Sequence, residues 1–273
     1  MPELPEAETI ARQLHDAMAG CTLGDVIVTR RDIVHGDPRP LGRVLPDRRV
    51  RQVRRRAKRV VLELDPEAQL VFALGMTGRL TVNQSRTNRD KHTHLRISIR
   101  GTDRELRFCD PRRFGGVWCL AEGAKHKGRR LSDVGPEPLE LTPAHFRRLI
   151  SRSRQIKTLL MDQHMIAGLG NIYCDESLHA AGVHPLTKAD TLDRDAAERL
   201  LRAIKRILKR AIREQGSTVS DYQTTSGTSG SFQNHHRVYQ KEGRPCRTCS
   251  TPIERITAAG RSTFFCPSCQ QIS

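Results

Sequence analysis

The pattern of apolar and polar residues divides the chain into a strand-rich first half and a helical second half. The first half, from about residue 22 to residue 121, contains short runs rich in β-branched and aromatic residues, separated by Gly, Pro, Asp and Asn. The clearest runs are residues 59–65, 69–76, 78–82, 94–101, 104–109 and 116–121. Strands this closely spaced favour antiparallel pairing in a sandwich or a barrel.

Helical periodicity appears at the N-terminus and again after residue 140. Residues 5–20 carry one apolar stripe, and residues 192–216 carry a longer one whose opposite face is covered by Lys and Arg. Gly216 is expected to end the second helix. Thr142, followed by Pro143, is typical of a helix start, and another helix is predicted to begin near Asn171.

Changes in composition predict five parts. A polar stretch rich in Gly, Pro and charged residues separates the two halves, and a Ser/Thr/Gly-rich stretch precedes the C-terminal cysteines. The predicted parts are a strand-rich domain over 1–121, a linker over 122–140, a helical domain over 141–222, a flexible loop over 223–236 and a cysteine-bearing module over 237–273.

Charge points to a polyanionic partner. The 273 residues include 47 Lys and Arg against 30 Asp and Glu, a formal net charge of +17. Repulsion among so many positive charges opposes compaction unless a bound polyanion neutralises them. Nucleic acid is therefore the favoured class of partner. No run approaches the roughly 20 apolar residues of a membrane span, and the N-terminus has no signal-peptide pattern. We therefore expect no membrane partner and a cytoplasmic location.

Four of the eight cysteines are spaced as metal ligands. They form two C-x2-C pairs separated by 16 residues: Cys246, Cys249, Cys266 and Cys269. Four thiolates leave no open coordination position, so a structural zinc is favoured over a catalytic one, and iron is the less favoured alternative. The residues between the pairs can form a hairpin, with Arg261 near its tip. The four scattered cysteines are expected to be reduced thiols.

The N-terminus offers a nucleophile. Met1 precedes a small residue and is expected to be removed, which leaves Pro2 with a free secondary amine. An α-amino group has a pKa near 8, so a usable fraction is neutral at pH 7 and can attack an aldehyde-like carbon. Glu3 and Glu6 lie close by in sequence and can move protons or hold the ammonium. An ordinary frayed terminus with helix-capping acids explains the same residues.

Two turns carry residues suited to contact a duplex. The segment 110–116 contains Arg112, Arg113 and Phe114, which can bind bases or phosphates and wedge into the base stack. Met76 lies between Gly75 and Gly78, and an ordinary role as an apolar core residue explains it equally well. The glycine-rich segment before Asn171 leads into a helix N-terminus, where free N–H groups suit phosphate.

Together these motifs resemble the formamidopyrimidine-DNA glycosylase family. The resemblance runs in family order over essentially the whole chain. The matching segments are PELPE at 2–6, Lys58 in RRAKRVVL, LGMTG at 74–78, KHTH at 91–94, DPRRFG at 110–115, residues 160–176 and the four-cysteine ribbon with Arg261. PELPE argues against the sister branch for oxidised pyrimidines.

The resemblance implies an α+β, multidomain fold: an N-terminal β-sandwich with a flanking helix, a helix–two-turn–helix domain and a C-terminal β-hairpin zinc finger. It also implies a bifunctional glycosylase and AP lyase that removes oxidised purines from double-stranded DNA. Pro2 would form the Schiff base, Glu3 would help to open the sugar ring with Glu6 nearby, Lys58 would give the proton in β-elimination, and Arg261 would serve δ-elimination.

The same resemblance implies the DNA contacts. Met76, Arg112 and Phe114 would fill the space left by the flipped nucleotide, and the remaining positions would hold phosphates: His92, Arg113, Ser151, Arg152, Lys157 and Asn171. We expect a monomer, since one duplex in one cleft needs no second subunit.

Three departures from the family pattern concern lesion preference. Ala73 stands where His is common, Ser220 stands where Lys or Arg is common, and residues 223–235 are unlike the usual loop. The altered loop leaves one alternative, the same fold acting on oxidised pyrimidines. The net charge and the four-cysteine ribbon leave another, a non-catalytic zinc-dependent protein that binds damaged DNA.

Overall fold

The computed structural model describes residues 2–35, 39–121, 131–219, 222, 224–225, 227–258 and 260–272. By its internal contacts the chain forms two compact units. The first contains residues 1–131 and 214–231, and the second contains residues 132–213 and 232–273. The segment 214–231 thus groups with the first half of the chain. The five-part division remains a prediction, and residues 122–130 of its linker and Ser220 lie outside the described residues.

The first unit is a sandwich of two sheets with a helix beside it. In chain order its elements are α1 (Leu4–Met18), β1 (Leu23–Val28), β2 (Val34–His35), α2 (Arg39–Val44), β3 (Arg49–Arg56), β4 (Arg59–Asp65), β5 (Ala68–Ala73), β6 (Arg79–Gln84), β7 (Thr93–Ile99), β8 (Arg104–Cys109) and β9 (Gly116–Ala121). One sheet has the order β2-β9-β5-β4-β3 and the other β1-β7-β8-β6. The fold class expected from the resemblance is confirmed.

The core of the sandwich follows from the period-2 pattern of the strands. In β4, Val60, Leu62 and Leu64 face inward, and they meet residues of the second sheet such as Leu106 and Phe108. Phe72 of β5 contacts Phe108 with ring centroids 5.7 Å apart. The apolar stripe of α1, which includes Ile10, Leu14 and Met18, joins this core.

The predicted element boundaries need small corrections. The run 69–76 ends as a strand at Ala73, because residues 74–78 form a turn closed by the Gly78 N–H to the Leu74 carbonyl at 2.8 Å. All named strand pairs are antiparallel except β2 with β9, which is parallel. The helix predicted over 5–20 spans Leu4–Met18, and the one predicted over 192–216 ends at Arg213.

The second unit is helical and ends in a hairpin. Its elements are α3 (Pro143–Ile150), α4 (Ile156–Met161), α5 (Asn171–Ala181), α6 (Arg194–Arg213), β10 (Glu254–Ala258) and β11 (Arg261–Phe265). Thr142 caps α3 as predicted, since its side chain accepts the His145 N–H at 3.2 Å. Both α6 and β11 pack on α5. None of the described helices is long and apolar enough to cross a bilayer.

Glu63 of β4 is held by the basic edge strand β3. Its carboxylate accepts hydrogen bonds from Arg51 at 2.8 Å, Gln52 at 2.5 Å and Arg54 at 2.5 Å. Burial raises the pKa of Glu63, but the bonds from Arg54, Gln52 and Arg51 outweigh burial and lower the pKa to about 2. The ionised form therefore stabilises the sheet.

We expect Glu63→Gln to lower the free energy of unfolding by about 2 kcal/mol at neutral pH, after allowance for the solvent exposure of the arginines. A depressed carboxyl pKa gives stability that is present above the unfolded pKa and is lost as the pH falls towards the folded pKa. In urea unfolding, the difference in the free energy of unfolding between wild type and variant should thus decrease as the pH falls from about 4.5 to 2. Exposed Glu67, changed to Gln, is the control. A gap that stays constant down to about pH 3 would contradict the assignment.

Candidate active site

The N-terminal segment places Pro2 next to a pair of buried carboxylates. Pro2 is buried, Glu3 is 2% exposed and Glu6 is 1% exposed. Glu3 is the N-cap of α1, and its N–H donates to Glu6 Oε2 at 2.8 Å. The other Glu6 oxygen accepts the Ser217 N–H at 2.7 Å. These bonds fix Glu6 as a carboxylate acceptor and hold the start of α1 in one conformation.

Gly216 makes this arrangement possible, a role that the sequence pattern did not reveal. Its φ is +83°, and an added Cβ would lie 2.7 Å from Glu6 Oε1. Only glycine fits both the left-handed backbone and this close approach. Nearby, the Tyr222 hydroxyl donates to the Gln215 carbonyl at 3.0 Å, and burial, together with the charge of Glu6, raises the pKa of Tyr222.

Lys58 lies in the two-residue turn between β3 and β4. Ala57, the other turn residue, has a φ of +55°, which is uncommon for a residue with a Cβ. Arg55 holds the turn: its Nη1 donates to the Ala57 carbonyl at 3.0 Å and its Nε donates to Glu8 Oε2 at 2.9 Å. Since Glu8 belongs to α1, the turn with Lys58 is tied to the helix that follows Pro2. No described residue forms a hydrogen bond or ion pair with the half-buried Lys58 ammonium.

Two turns meet and present the side chains predicted to enter the duplex. Met76 is 38% exposed and Phe114 is 60% exposed, which is unusual for large apolar residues. The Arg112 guanidinium lies over the Phe114 ring, with Cζ 4.6 Å from the centroid. Gly75 lets the turns approach, because a Cβ there would lie 2.4 Å from the Gly115 nitrogen. The structure thus brings three of the predicted residues onto adjoining turns.

Asp110 fastens these two turns to each other. Its fully buried carboxylate accepts the Thr77 hydroxyl at 2.5 Å and the Gly115 N–H at 2.7 Å. Its carbonyl contacts His94 Nε2 at 3.0 Å. Thr77 Oγ1 in turn accepts the Arg112 N–H at 3.2 Å. Asp110 belongs to the DPRRFG motif, but the motif alone did not indicate this positioning role.

The other predicted DNA contacts of the first unit are Arg113, whose side chain is paired, and His92, which is bonded through its backbone N–H. Arg113 has a φ of +54° and pairs with Asp32 at 2.5 Å, so its guanidinium already has a carboxylate partner. His92 is half-buried, and its N–H donates to Asp90 Oδ1 at 2.8 Å. Ala73 ends β5 and pairs in register with Gly116.

In the second unit, Lys157 is held inside the protein by an ion pair. We expected a direct phosphate contact, but its side chain is fully buried and its Nζ donates to Asp175 at 2.6 Å and to Thr263 Oγ1 at 2.7 Å. Asp175 also accepts the Phe264 N–H at 3.0 Å. Burial raises the pKa of Asp175 to about 7, and the Lys157 ammonium opposes this rise. Lys157 therefore anchors β11 to α4 and α5, and its phosphate contact stays a prediction.

Asn171 and Arg261 line one cleft of about 600 Å³. Asn171 begins α5, and its Nδ2 donates to the Ser262 carbonyl at 2.8 Å, while its buried Oδ1 has no hydrogen-bond partner among the described residues. Arg261 is exposed at the start of β11, at the hairpin tip as predicted, and Arg255 lies in the same cleft. Two guanidiniums beside a helix N-terminus can hold phosphate. Ser151 and Arg152 are exposed after α3.

The four C-terminal cysteines form a zinc site. Their sulfurs lie within 4.8 Å of one another, and three pairs are 3.4 to 3.9 Å apart. Tetrahedral zinc with Zn–S bonds of about 2.3 Å requires sulfurs about 3.8 Å apart, so the donor set fits one zinc ion. With four thiolates the zinc would be structural and would hold the β10–β11 hairpin that carries Arg261.

Glu176 fixes the chain just before the zinc site. It is 3% exposed, and its carboxylate accepts the consecutive N–H groups of Arg237, Val238 and Tyr239 at 2.9 to 3.0 Å. This bond set joins α5 to the segment that leads to Cys246.

Comparisons with known proteins agree with these arrangements. Family models match residues 1–117 (formamidopyrimidine-DNA glycosylase N-terminal domain), 134–223 (formamidopyrimidine-DNA glycosylase H2TH domain) and 243–272 (zinc finger found in FPG and IleRS). The formamidopyrimidine-DNA glycosylase of Gluconobacter oxydans is 42% identical over 278 residues, covering 99% of this chain and 100% of the relative. The chain belongs to the formamidopyrimidine-DNA glycosylase family.

Solved structures of formamidopyrimidine-DNA glycosylases share the fold. The crystal structure of the MutM (Fpg) protein from Thermus thermophilus matches with a TM-score of 0.88 at 38% identity and covers 100% of both chains. The Lactococcus lactis Fpg in complex with DNA containing an abasic site matches with a TM-score of 0.90 at 31% identity, covering 98% of this chain and 99% of that chain.

We expect Asp110→Asn to loosen the two turns. The amide cannot accept both the Thr77 hydroxyl and the Gly115 N–H with its single oxygen, so the free energy of unfolding should fall by about 1–3 kcal/mol. Hydrogen exchange at the Gly115 amide should also become faster. Exposed Asp103, changed to Asn, is the control. Unchanged protection of the Gly115 amide would contradict this role.

We expect one zinc ion per chain by elemental analysis. Cys249→Ser should lose the metal, and proteolysis should then cut within residues 246–269, because the small core of the ribbon includes the ligands Cys246 and Cys266 themselves. Cys21→Ser, which removes a cysteine outside the cluster, should keep the zinc. Stoichiometric iron instead of zinc, or full zinc in Cys249→Ser, would overturn the assignment.

Proposed function

We propose that this protein is a base-excision-repair DNA glycosylase with AP lyase activity, acting on oxidised purines such as 8-oxoguanine and formamidopyrimidines in duplex DNA. The observation that carries the proposal is the buried cluster of Pro2, Glu3 and Glu6 at the start of α1. The two carboxylates cap α1 and hold residue 217, and they also lie beside a secondary amine, which is the combination that imine chemistry uses. Related proteins named for this activity, some solved with damaged DNA, support the same conclusion.

The first step is attack of the Pro2 amine on C1′ of the damaged nucleotide, once Met1 is removed. The base leaves with the bonding electron pair and takes up a proton, and Glu3 donates a proton to the ring oxygen as the sugar opens. The nitrogen of Pro2 then carries an iminium bond to C1′. This iminium is an electron sink for the eliminations that follow.

Lys58 is proposed to act in β-elimination. Loss of a proton from C2′ to a base such as water converts the iminium into an enamine, and the enamine then expels the 3′ phosphate while Lys58 donates a proton to this leaving group. After the eliminations, water hydrolyses the regenerated iminium and releases Pro2. The absence of any carboxylate partner for Lys58 among the described residues supports this role. Arg261 is proposed to assist δ-elimination, which expels the 5′ phosphate, and to bind phosphate together with Asn171.

The turns of Met76, Arg112 and Phe114 are proposed to replace the flipped nucleotide in the stack. Extrusion of a base costs a few kcal/mol, and inserted side chains offset this cost. The exposure of Phe114, together with the fixed geometry around Asp110, supports such an insertion. Phosphate contacts by His92, Arg113, Ser151 and Arg152, the monomeric state and the cytoplasmic location stay predictions.

Borohydride trapping tests the proposal. With a duplex carrying 8-oxoguanine opposite cytosine, we expect a covalent adduct that maps to the N-terminal peptide at Pro2. Pro2→Gly, shown by mass to lack Met1, should lose most of the nicking of abasic DNA. Arg12→Gln, on the exposed side of the same helix, should keep it.

The other outcomes discriminate between the alternatives. Trapping with an abasic duplex but not with 8-oxoguanine would retain the lyase, and a thymine-glycol duplex would then test oxidised pyrimidines. If Pro2→Gly without Met1 nicks abasic DNA at the wild-type rate, the assignment of Pro2 as the nucleophile is wrong. Gel shifts without any cut or adduct would favour a non-catalytic DNA-binding protein.

A further inference from the structure

From Arg199 to Arg213, one face of helix α6 carries only cations. The exposed or half-exposed residues of this cationic face are Arg199, Arg202, Lys205, Arg206, Lys209, Arg210 and Arg213. At 3.6 residues per turn they fall within an arc of about 140°, and they extend over about 21 Å of helix. No acidic residue occurs between Arg199 and Arg213.

The cationic face has few anionic partners within the chain. Glu198 lies 3.8 Å from Arg202, and Arg210 donates to the ring of His235. Within the described part of the chain, the other five cations have no carboxylate partner. Neighbouring cations three or four residues apart weaken a helix by repulsion. A polyanion outside the chain would relieve that repulsion.

This face is separate from the candidate phosphate site of the same unit. The apolar side of α6, with Leu200, Ile204 and Leu208, is buried, and α6 packs on α5. The hairpin strand β11, which begins at Arg261, also packs on α5. The cationic face is the side of α6 turned away from its buried stripe, so the cleft of Asn171 and Arg261 does not include it.

We propose that the cationic face binds the phosphate backbone of a second duplex segment, independent of sequence, while the active site holds the damaged one. The choice of duplex DNA rests on the proposed function, because an enzyme that works on the chromosome meets undamaged duplex in large excess. Arginine suits this role, since its guanidinium pairs with phosphate oxygens through two donors. A second contact of this kind would let the protein transfer between segments.

The test compares two matched triple variants. Arg199→Gln/Arg206→Gln/Arg213→Gln removes three cations spaced seven residues apart on the cationic face, and Gln keeps the helix propensity. Arg43→Gln/Arg86→Gln/Arg100→Gln removes the same charge from exposed sites of the first unit. Each protein is first saturated with an unlabelled short duplex that contains a tetrahydrofuran abasic analogue. A fluorescein-labelled undamaged duplex is then titrated in, and anisotropy is read at several KCl concentrations.

We expect wild type and the control variant to bind the labelled duplex, and the α6 variant to bind it about tenfold or more weakly. The slope of log K against log[KCl] should become shallower by up to about 3 in the α6 variant, for three lost phosphate contacts. Circular dichroism checks that α6 stays helical.

Equal binding and equal slopes for all three proteins, or no second duplex on the wild type, would overturn the proposal. If poly-glutamate distinguishes the variants while duplex DNA does not, an acidic protein is the partner instead. Borohydride trapping on the 8-oxoguanine duplex should be the same for all three proteins. Loss of trapping in every protein would contradict the proposed function. The anisotropy measurement of the second duplex could still be interpreted, because it does not depend on trapping.

Discussion

Buried carboxylates that accept backbone N–H groups hold most of the candidate functional segments of this protein. Glu6 accepts Glu3 and Ser217, Asp110 accepts Gly115, Asp175 accepts Phe264, and Glu176 accepts three consecutive groups from residue 237 onward. Burial of an ionised carboxylate is costly unless its oxygens are satisfied. Each of these groups therefore fixes its loop strongly, because movement of the loop would leave a buried charge without partners.

These anchors connect distant parts of the sequence with the candidate chemistry. Glu6 ties the N-terminus to residue 217 of the same unit, and Asp110 ties the turn of Phe114 to the turn of Met76. In the second unit Lys157 and Asp175 fix the strand that starts at Arg261. A side chain that must enter a base stack or meet a sugar atom needs such preorganisation, since a flexible loop would lose it.

The sequence resemblance identified most of the candidate residues, and the structure shows which of their side chains are exposed and which are buried. Met76, Arg112 and Phe114 lie exposed or half-exposed on adjoining turns, whereas Lys157 is buried in an ion pair. The two cases differ because a sequence motif shows which residue occurs at a position, but not whether the folded chain buries its side chain. The cationic face of α6 shows the converse: periodicity alone predicted its charge, and the exposed or half-exposed side chains in the folded chain show that it remains open.

The sequence by itself determined the two-half organisation, the four-cysteine zinc ligands and most strands and helices, because period, turn residues and ligand spacing are local properties. It also identified the family through motifs spread along the chain. Only the tertiary structure decided that Gly216 makes room for Glu6, that Asp110 joins two turns and that Arg113 pairs with Asp32. The bond from the Ser217 N–H to Glu6 joins residues 211 positions apart, and no local pattern of polarity records such a pairing.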